Sequence, residues 1–267
     1  MVIQSKILFS LPLIVLLFGF SHFYNHKGFS NPKSHTEKTI FYKLAKNIIP
    51  IKINQYGDKK DLLFINVHDD EFTSVEATKR ILSEYGGTLI EIENNQQRNI
   101  QFRIGRTIYR VDPNCIFSKA GIRRSLAELG RTSPVAIDEA EKLGKRILQL
   151  IPGSVKYVIA LHNNTPDLFT VEEYTPGNKR AGDCNKYYIN PAEDNDDFFL
   201  TTEQNLFHKL SSKSFNIVLQ DNKKCTDDGS LSYYCGKKNI PYINCESEHG
   251  KSVQYDLMLR SLLECIE

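Results

Sequence analysis

The chain has 267 residues, 40% hydrophobic and 25% charged, enough for one large α/β domain or two small ones. A formal net charge of +2 removes the electrostatic case for a nucleic-acid partner. No repeat of roughly 20–50 residues is visible, which excludes solenoids and propellers.

At the N-terminus, Lys6 precedes a nearly unbroken apolar run, Ile7 to Phe20. This is the charged-then-apolar pattern of a secretory signal. The run is short for a span of about 20 residues, though Phe23 and Tyr24 extend it as an interfacial anchor. Residues 1–24 are expected to be a signal peptide or membrane anchor, which places the protein outside the cytoplasm or on a membrane. Residues 25–38 read as a linker, and 39–267 as one catalytic-type domain. Among the six cysteines there is no Cys-x-x-Cys pair, so a zinc ribbon is unsupported. Cys225 and Cys235 flank a short loop and suit a disulfide in an exported chain; buried thiols are the alternative.

Along the domain, 39–51 reads as a short helix followed by an edge strand. Leu62 to Val67 is a buried strand, and it runs into a polar turn, His68-Asp69-Asp70-Glu71. Thr73 then opens a helix over 73–85 with Val75, Ala77, Ile81 and Leu82 on its apolar side, stopped by Gly86-Gly87. A strand follows over 88–93. Residues 99–104 and 107–111 alternate like a hairpin around Gly105-Arg106, and Asp112-Pro113-Asn114 breaks the pattern. Pro134 starts an amphipathic helix carrying Val135, Ile137, Ala140, Leu143, Ile147 and Leu150, which ends at Pro152-Gly153.

A second apolar strand, Val155 to Leu161, leads straight into His162-Asn163-Asn164. Residues 166–198 are turn-rich and too long for a plain connector, so they are expected to cover a site. A helix over 202–210, a strand over 215–219, and a strand over 240–245 ending in Glu246-Ser247-Glu248 follow. The last element is an amphipathic helix over 253–263. Asp196-Asp197 and Asp227-Asp228 read as turn and capping residues in preference to calcium loops. Alternating strands and helices predict an α/β fold: a mixed, mainly parallel sheet with helices on both faces and a crevice at the carboxyl ends of the strands.

That crevice collects the chemistry. His68, Glu71 and His162 make a set of two imidazoles and one carboxylate, which leaves zinc a fourth position for water and so marks a catalytic site. Glu246 is placed to move the proton, with Glu248 as the alternative. Asp69 and Asp70 are expected to be solvated or to orient His68, and not to be ligands. Arg106 and Arg110 flank Asn114, and Asn163 follows His162; all four are candidates to hold substrate.

Four ordered motifs, His68-Asp69-Asp70-Glu71, Asp112-Pro113-Asn114-Cys115-Ile116-Phe117, Leu161-His162-Asn163 and Glu246, resemble the zinc carboxypeptidase superfamily. The branch they are most similar to is that of succinylglutamate desuccinylase and aspartoacylase. The resemblance covers about residues 60–265. It implies that fold, one zinc ion on His68, Glu71 and His162, a proton shuttle at Glu246 and a substrate contact at Asn114. Cys115 departs from the pattern, because the family carries an arginine there and a thiol cannot grip a carboxylate with two prongs. The expected activity is zinc-dependent hydrolysis of an amide bond in a small peptide or N-acyl amino acid, with zinc-bound water as nucleophile. The rival expectation, kept open by Cys115, is a non-catalytic peptide-binding module on the same fold.

Overall fold

The computed structural model describes residues 32–266. Among them, eleven strands and six α-helices alternate. The opening is a hairpin of β1 (His35–Leu44) and β2 (Asn47–Tyr56), where a helix was expected. The chain turns at Ala45, whose φ is 52°, and every residue of the two strands pairs, from His35–Tyr56 to Leu44–Asn47. β-branched residues at 48, 49, 51 and 53 favour this extended course. β1 also begins inside the stretch read as a linker. The expected signal or anchor at 1–24 lies outside the described residues. Among the described residues no helix is long and apolar enough to cross a membrane.

The core unit follows as expected: β3 (Leu62–Asn66), α1 (Phe72–Tyr85) and β4 (Gly87–Ile92). Gly86 ends α1 at a φ of 80°, its N–H donating to the Leu82 carbonyl, a backbone position that favours glycine. β5 (Ile100–Ile104) and β6 (Thr107–Val111) form a separate two-stranded sheet. A 3-10 turn over Pro113–Cys115 leads to α2 (Lys119–Glu128), which the sequence reading left unassigned. Its signals are Ser118, whose Oγ caps the Gly121 N–H, and the four-residue spacing of buried Ile122 and Leu126. α3 (Pro134–Leu148) and β7 (Tyr157–Asn164) come next. The turn-rich segment contains β8 (Cys184–Tyr188) and runs into β9 (Phe198–Thr201), both unforeseen. The chain ends with α4 (Gln204–Ser212), β10 (Asn216–Gln220), α5 (Leu231–Lys238), β11 (Tyr242–Glu248) and α6 (Ser252–Ile266).

The main sheet has the order β1-β2-β4-β3-β7-β11-β9-β10-β8. Its centre, β4-β3-β7-β11, is parallel, and antiparallel pairings bring in both flanks. The sheet is therefore mixed with a parallel heart. Alternation divides its side chains between two cores. Leu63, Ile65, Val158 and Ala160 pack with α2 and α3. Leu62, Phe64, Ile159 and Leu161 pack with α1, α4 and α6. All six cysteines are unpaired thiols, so the Cys225–Cys235 bridge is not formed.

Candidate metal centre

Three carboxyl-terminal strand ends build the site. β3 delivers His68 and Glu71 on its exit turn. Within that turn Asn66 Oδ1 accepts the His68 N–H at 2.8 Å, and the Glu71 N–H donates to the His68 carbonyl at 3.2 Å. Glu71 stands at the N-cap of α1 but makes no side-chain cap. Its carboxylate turns inward instead. β7 delivers His162 on the face shared with Val158 and Ala160, since the side chains alternate. His68, Glu71 and His162 are all buried, and they present three ligating atoms within 4.8 Å of one another.

Glu71 is the hub. Its Oε1 lies 2.8 Å from His68 Nδ1, and its Oε2 lies 3.1 Å from His162 Nδ1. Both imidazoles thus turn the same ring nitrogen towards one carboxylate. His68 Nε2–H donates to Asp112 Oδ1 at 2.8 Å, a contact that reserves Nδ1 for the centre. Asp112 replaces the role expected of Asp69, whose Oδ2 accepts the N–H groups of Asn94 and Gln96 in a neighbouring turn. Arg98 is the other residue that sequence reasoning missed. Its Nη1 donates to Glu71 Oε1 at 2.7 Å, from the end of a stretch that reads as a polar turn.

Electrostatics follow the geometry. Burial works to raise Glu71, but the two imidazoles outweigh it and hold the carboxyl well below the usual carboxylate range. Burial works to lower His68, but Glu71 and Asp112 outweigh it and raise the imidazole to about 9. Buried nitrogen and carboxylate donors drawn together this closely, with one imidazole oriented by a carboxylate behind it, fit a zinc ion held by three protein ligands.

Glu246 pairs with His162 in the parallel register of β11 and β7, so both side chains leave the sheet on one face. Asn244 Nδ2 donates to Glu246 Oε1 at 2.8 Å, and burial raises the Glu246 carboxyl above its ordinary value. Glu248, two residues on, is held instead by Lys251 at 3.2 Å. The backbone N–H of Asn114 donates to Asp112 Oδ1, the same oxygen that receives His68. Cys115 is fixed by its own N–H on the Asp112 carbonyl at 2.9 Å.

The remaining candidates lie elsewhere. Asn163 emerges on the opposite face from His162. There its Oδ1 accepts the Ser74 N–H at the start of α1 and its Nδ2 donates to the Ser247 carbonyl. Both ends of its amide are used in joining elements, on the face away from His162. Arg106 and Arg110 are exposed on the β5–β6 hairpin, where Arg110 Nε donates to Gln101 Oε1 at 3.4 Å. They are joined to the hairpin and its surface, while Arg98 is the arginine bonded within the centre. The 166–198 segment is tied down by Asn164, whose Nδ2 donates to the carbonyls of Phe169 and Asp196. Arg180 lies 5.2 Å over the Phe169 ring.

No family model matches the sequence, and no curated protein matches it. Solved structures do. An aspartoacylase family protein from Mesorhizobium loti is 15% identical, over 88% of this chain and 67% of that one, with a TM-score of 0.45. The murein-tripeptide amidase MpaA from Escherichia coli is 14% identical, over 86% of this chain and 92% of that one, with a TM-score of 0.46. A succinylglutamate desuccinylase from Silicibacter is 15% identical, over 88% and 67%, with a TM-score of 0.43.

Proposed function

We propose that this chain is a zinc-dependent hydrolase that cleaves an amide bond in a small peptide or N-acyl amino acid. The observation that carries the reading is the convergence of one ligating atom each from His68, Glu71 and His162 within 4.8 Å, with Glu246 on the adjoining strand. Zinc on these donors supplies Lewis acidity towards an amide carbonyl. Every other task falls to the chain's own residues. Glu246, buried and raised, takes a proton from the attacking water and returns it to the leaving nitrogen. Arg98 adds a guanidinium beside Glu71, a charge suited to the oxygen that turns negative during attack. Asn114, on the turn that orients His68, is the substrate contact in this reading.

A second reading, a peptide-binding module without turnover, is favoured by one observation. Cys115 stands where a carboxylate-gripping arginine would be, and Arg106 and Arg110 point their charge to the hairpin surface. Export is proposed on Lys6 and the Ile7–Phe20 run alone.

The test combines elemental analysis with a panel of N-acetyl and N-succinyl amino acids and dipeptides. Hydrolase function requires about one zinc per chain, lost in His68→Ala, and turnover of a panel member that Glu246→Gln abolishes. Zinc without turnover, together with saturable binding of a panel member, identifies the binding module. Failure to bind zinc at all removes the hydrolase reading, and the binding module is removed when no panel member binds.

A further inference from the structure

A second set of oxygen ligands lies beyond Glu246, where the 166–198 segment meets the sheet. Asp194, Asp196 and Glu248 each bring a carboxylate oxygen within 4.8 Å of the other two. Asp197 joins them through Lys251, whose Nζ lies 2.7 Å from Asp194, 3.2 Å from Glu248 and 3.7 Å from Asp197. One ammonium therefore serves three carboxylates, and the fourth, Asp196, is outside its reach. Asp196 is 2% exposed. Its Oδ2 accepts the Asp167 N–H at 2.9 Å, and its Oδ1 is buried with no donor among the described residues.

An amide makes the same demand. Asn164 is 7% exposed and sits opposite Glu248 in the β7–β11 register, so both side chains leave the same face of the sheet. Both Nδ2 hydrogens are used, on the carbonyls of Phe169 and Asp196, which fixes the amide's orientation. Its Oδ1 is then a buried acceptor without a donor. A buried oxygen that lacks a donor is destabilising, and surplus buried carboxylates are more so. Oxygens without donors, beside carboxylates that outnumber their counter-ion, are the surroundings of a hard cation.

We infer that Asp194, Asp196 and Glu248, with Asn164 Oδ1, form a divalent-cation site of calcium type, separate from the His68–Glu71–His162 centre. All four donors are oxygens, which suits calcium over zinc. The ligands come from β7, from β11 and from the segment between β8 and β9. The ion thus pins that segment to the two strands that carry His162 and Glu246. The competing neutraliser is a proton shared between Asp196 and Glu248.

The experiment uses the full chain, stripped of metal, reloaded with one zinc and titrated with calcium chloride at pH 7.5. Calorimetry and thermal melting are the readouts. The expected result is one calcium per chain and a melting midpoint that climbs with calcium. Asp194→Asn, at a side chain 44% exposed and so safe for folding, should weaken binding at least about tenfold, a scale set by loss of one metal ligand's charge. Asp196→Asn should do the same, and His68→Ala should leave the calcium isotherm unchanged. The inference is overturned by no binding at millimolar calcium, or by binding that both aspartate variants leave intact. It is also overturned by a midpoint that responds to acidification through pH 6 but not to calcium.

Discussion

Glu246 and His162 face each other across β11 and β7 in a parallel register. The pairing sets a buried carboxylate beside a buried imidazole without the help of any loop. Both residues leave the sheet on the side of α2 and α3, one strand spacing apart. The position of each is therefore as rigid as the sheet itself, which is the condition a catalytic constellation requires.

Glu246 should govern the acid limb of turnover. Burial raises its carboxyl, so it keeps its proton to a higher pH than an exposed glutamate and acts as a base only above that point. kcat/KM should rise with pH through a midpoint above the ordinary glutamate value. Glu246→Gln should lower kcat by about 10²–10⁴-fold with zinc content unchanged. A limb at or below the ordinary value, or a variant retaining a tenth of the activity, removes Glu246 from this role.

Asp112, rather than Asp69, should tune the metal. Asp112→Asn keeps a similar shape but loses the charge behind His68, and zinc affinity should fall about 10–100-fold. Asp69→Asn, in the turn that holds the Asn94 and Gln96 N–H groups, should leave affinity unchanged. Competition with a chromogenic chelator separates the two, and equal losses would rule out the assignment.

Tyr255 ties β7 to β11. From α6, its hydroxyl accepts the His162 N–H at 3.2 Å and donates to the Cys245 carbonyl at 3.0 Å. Tyr255→Phe preserves the ring and strands both groups. The expected cost is about 1–3 kcal/mol of stability, read from the denaturant midpoint. An unshifted midpoint would show that the two groups find other partners.

Gly144 sets how closely α3 approaches the turn before α2. A Cβ there would lie 2.2 Å from the Ile116 carbonyl oxygen. Helix propensity favours alanine by about 1 kcal/mol, but overpacking against backbone costs about 1–3 kcal/mol. Gly144→Ala should therefore be destabilising, whereas Gly182→Ala, with open space around its Cβ position, should be close to neutral. Thermal melts of the pair decide the sign.

Much of the architecture is legible in residue order alone. The apolar runs at 62–67 and 155–161 are long enough, and punctuated sharply enough, to be strands in any context, and the 134–150 periodicity is strongly helical. Hence the positions of His68, Glu71, His162 and Glu246 at strand ends follow from local pattern. Only the tertiary structure could reveal that Asp112 and Arg98 reach the same centre. Asp112 opens one of the four ordered motifs but carried no contact to His68 in the sequence, and Arg98 comes from a plain polar turn; no spacing rule links either to residue 68 or 71. It also separates Asn163 from His162, because a one-residue step along a strand reverses the face, and that matters only once the sheet has two distinct cores. The β1–β2 hairpin was illegible for a related reason. Its strands gain their stability from partners across the sheet, β1 from β2 and β2 from β4, and the β-branched residues of β2 do not by themselves name those partners.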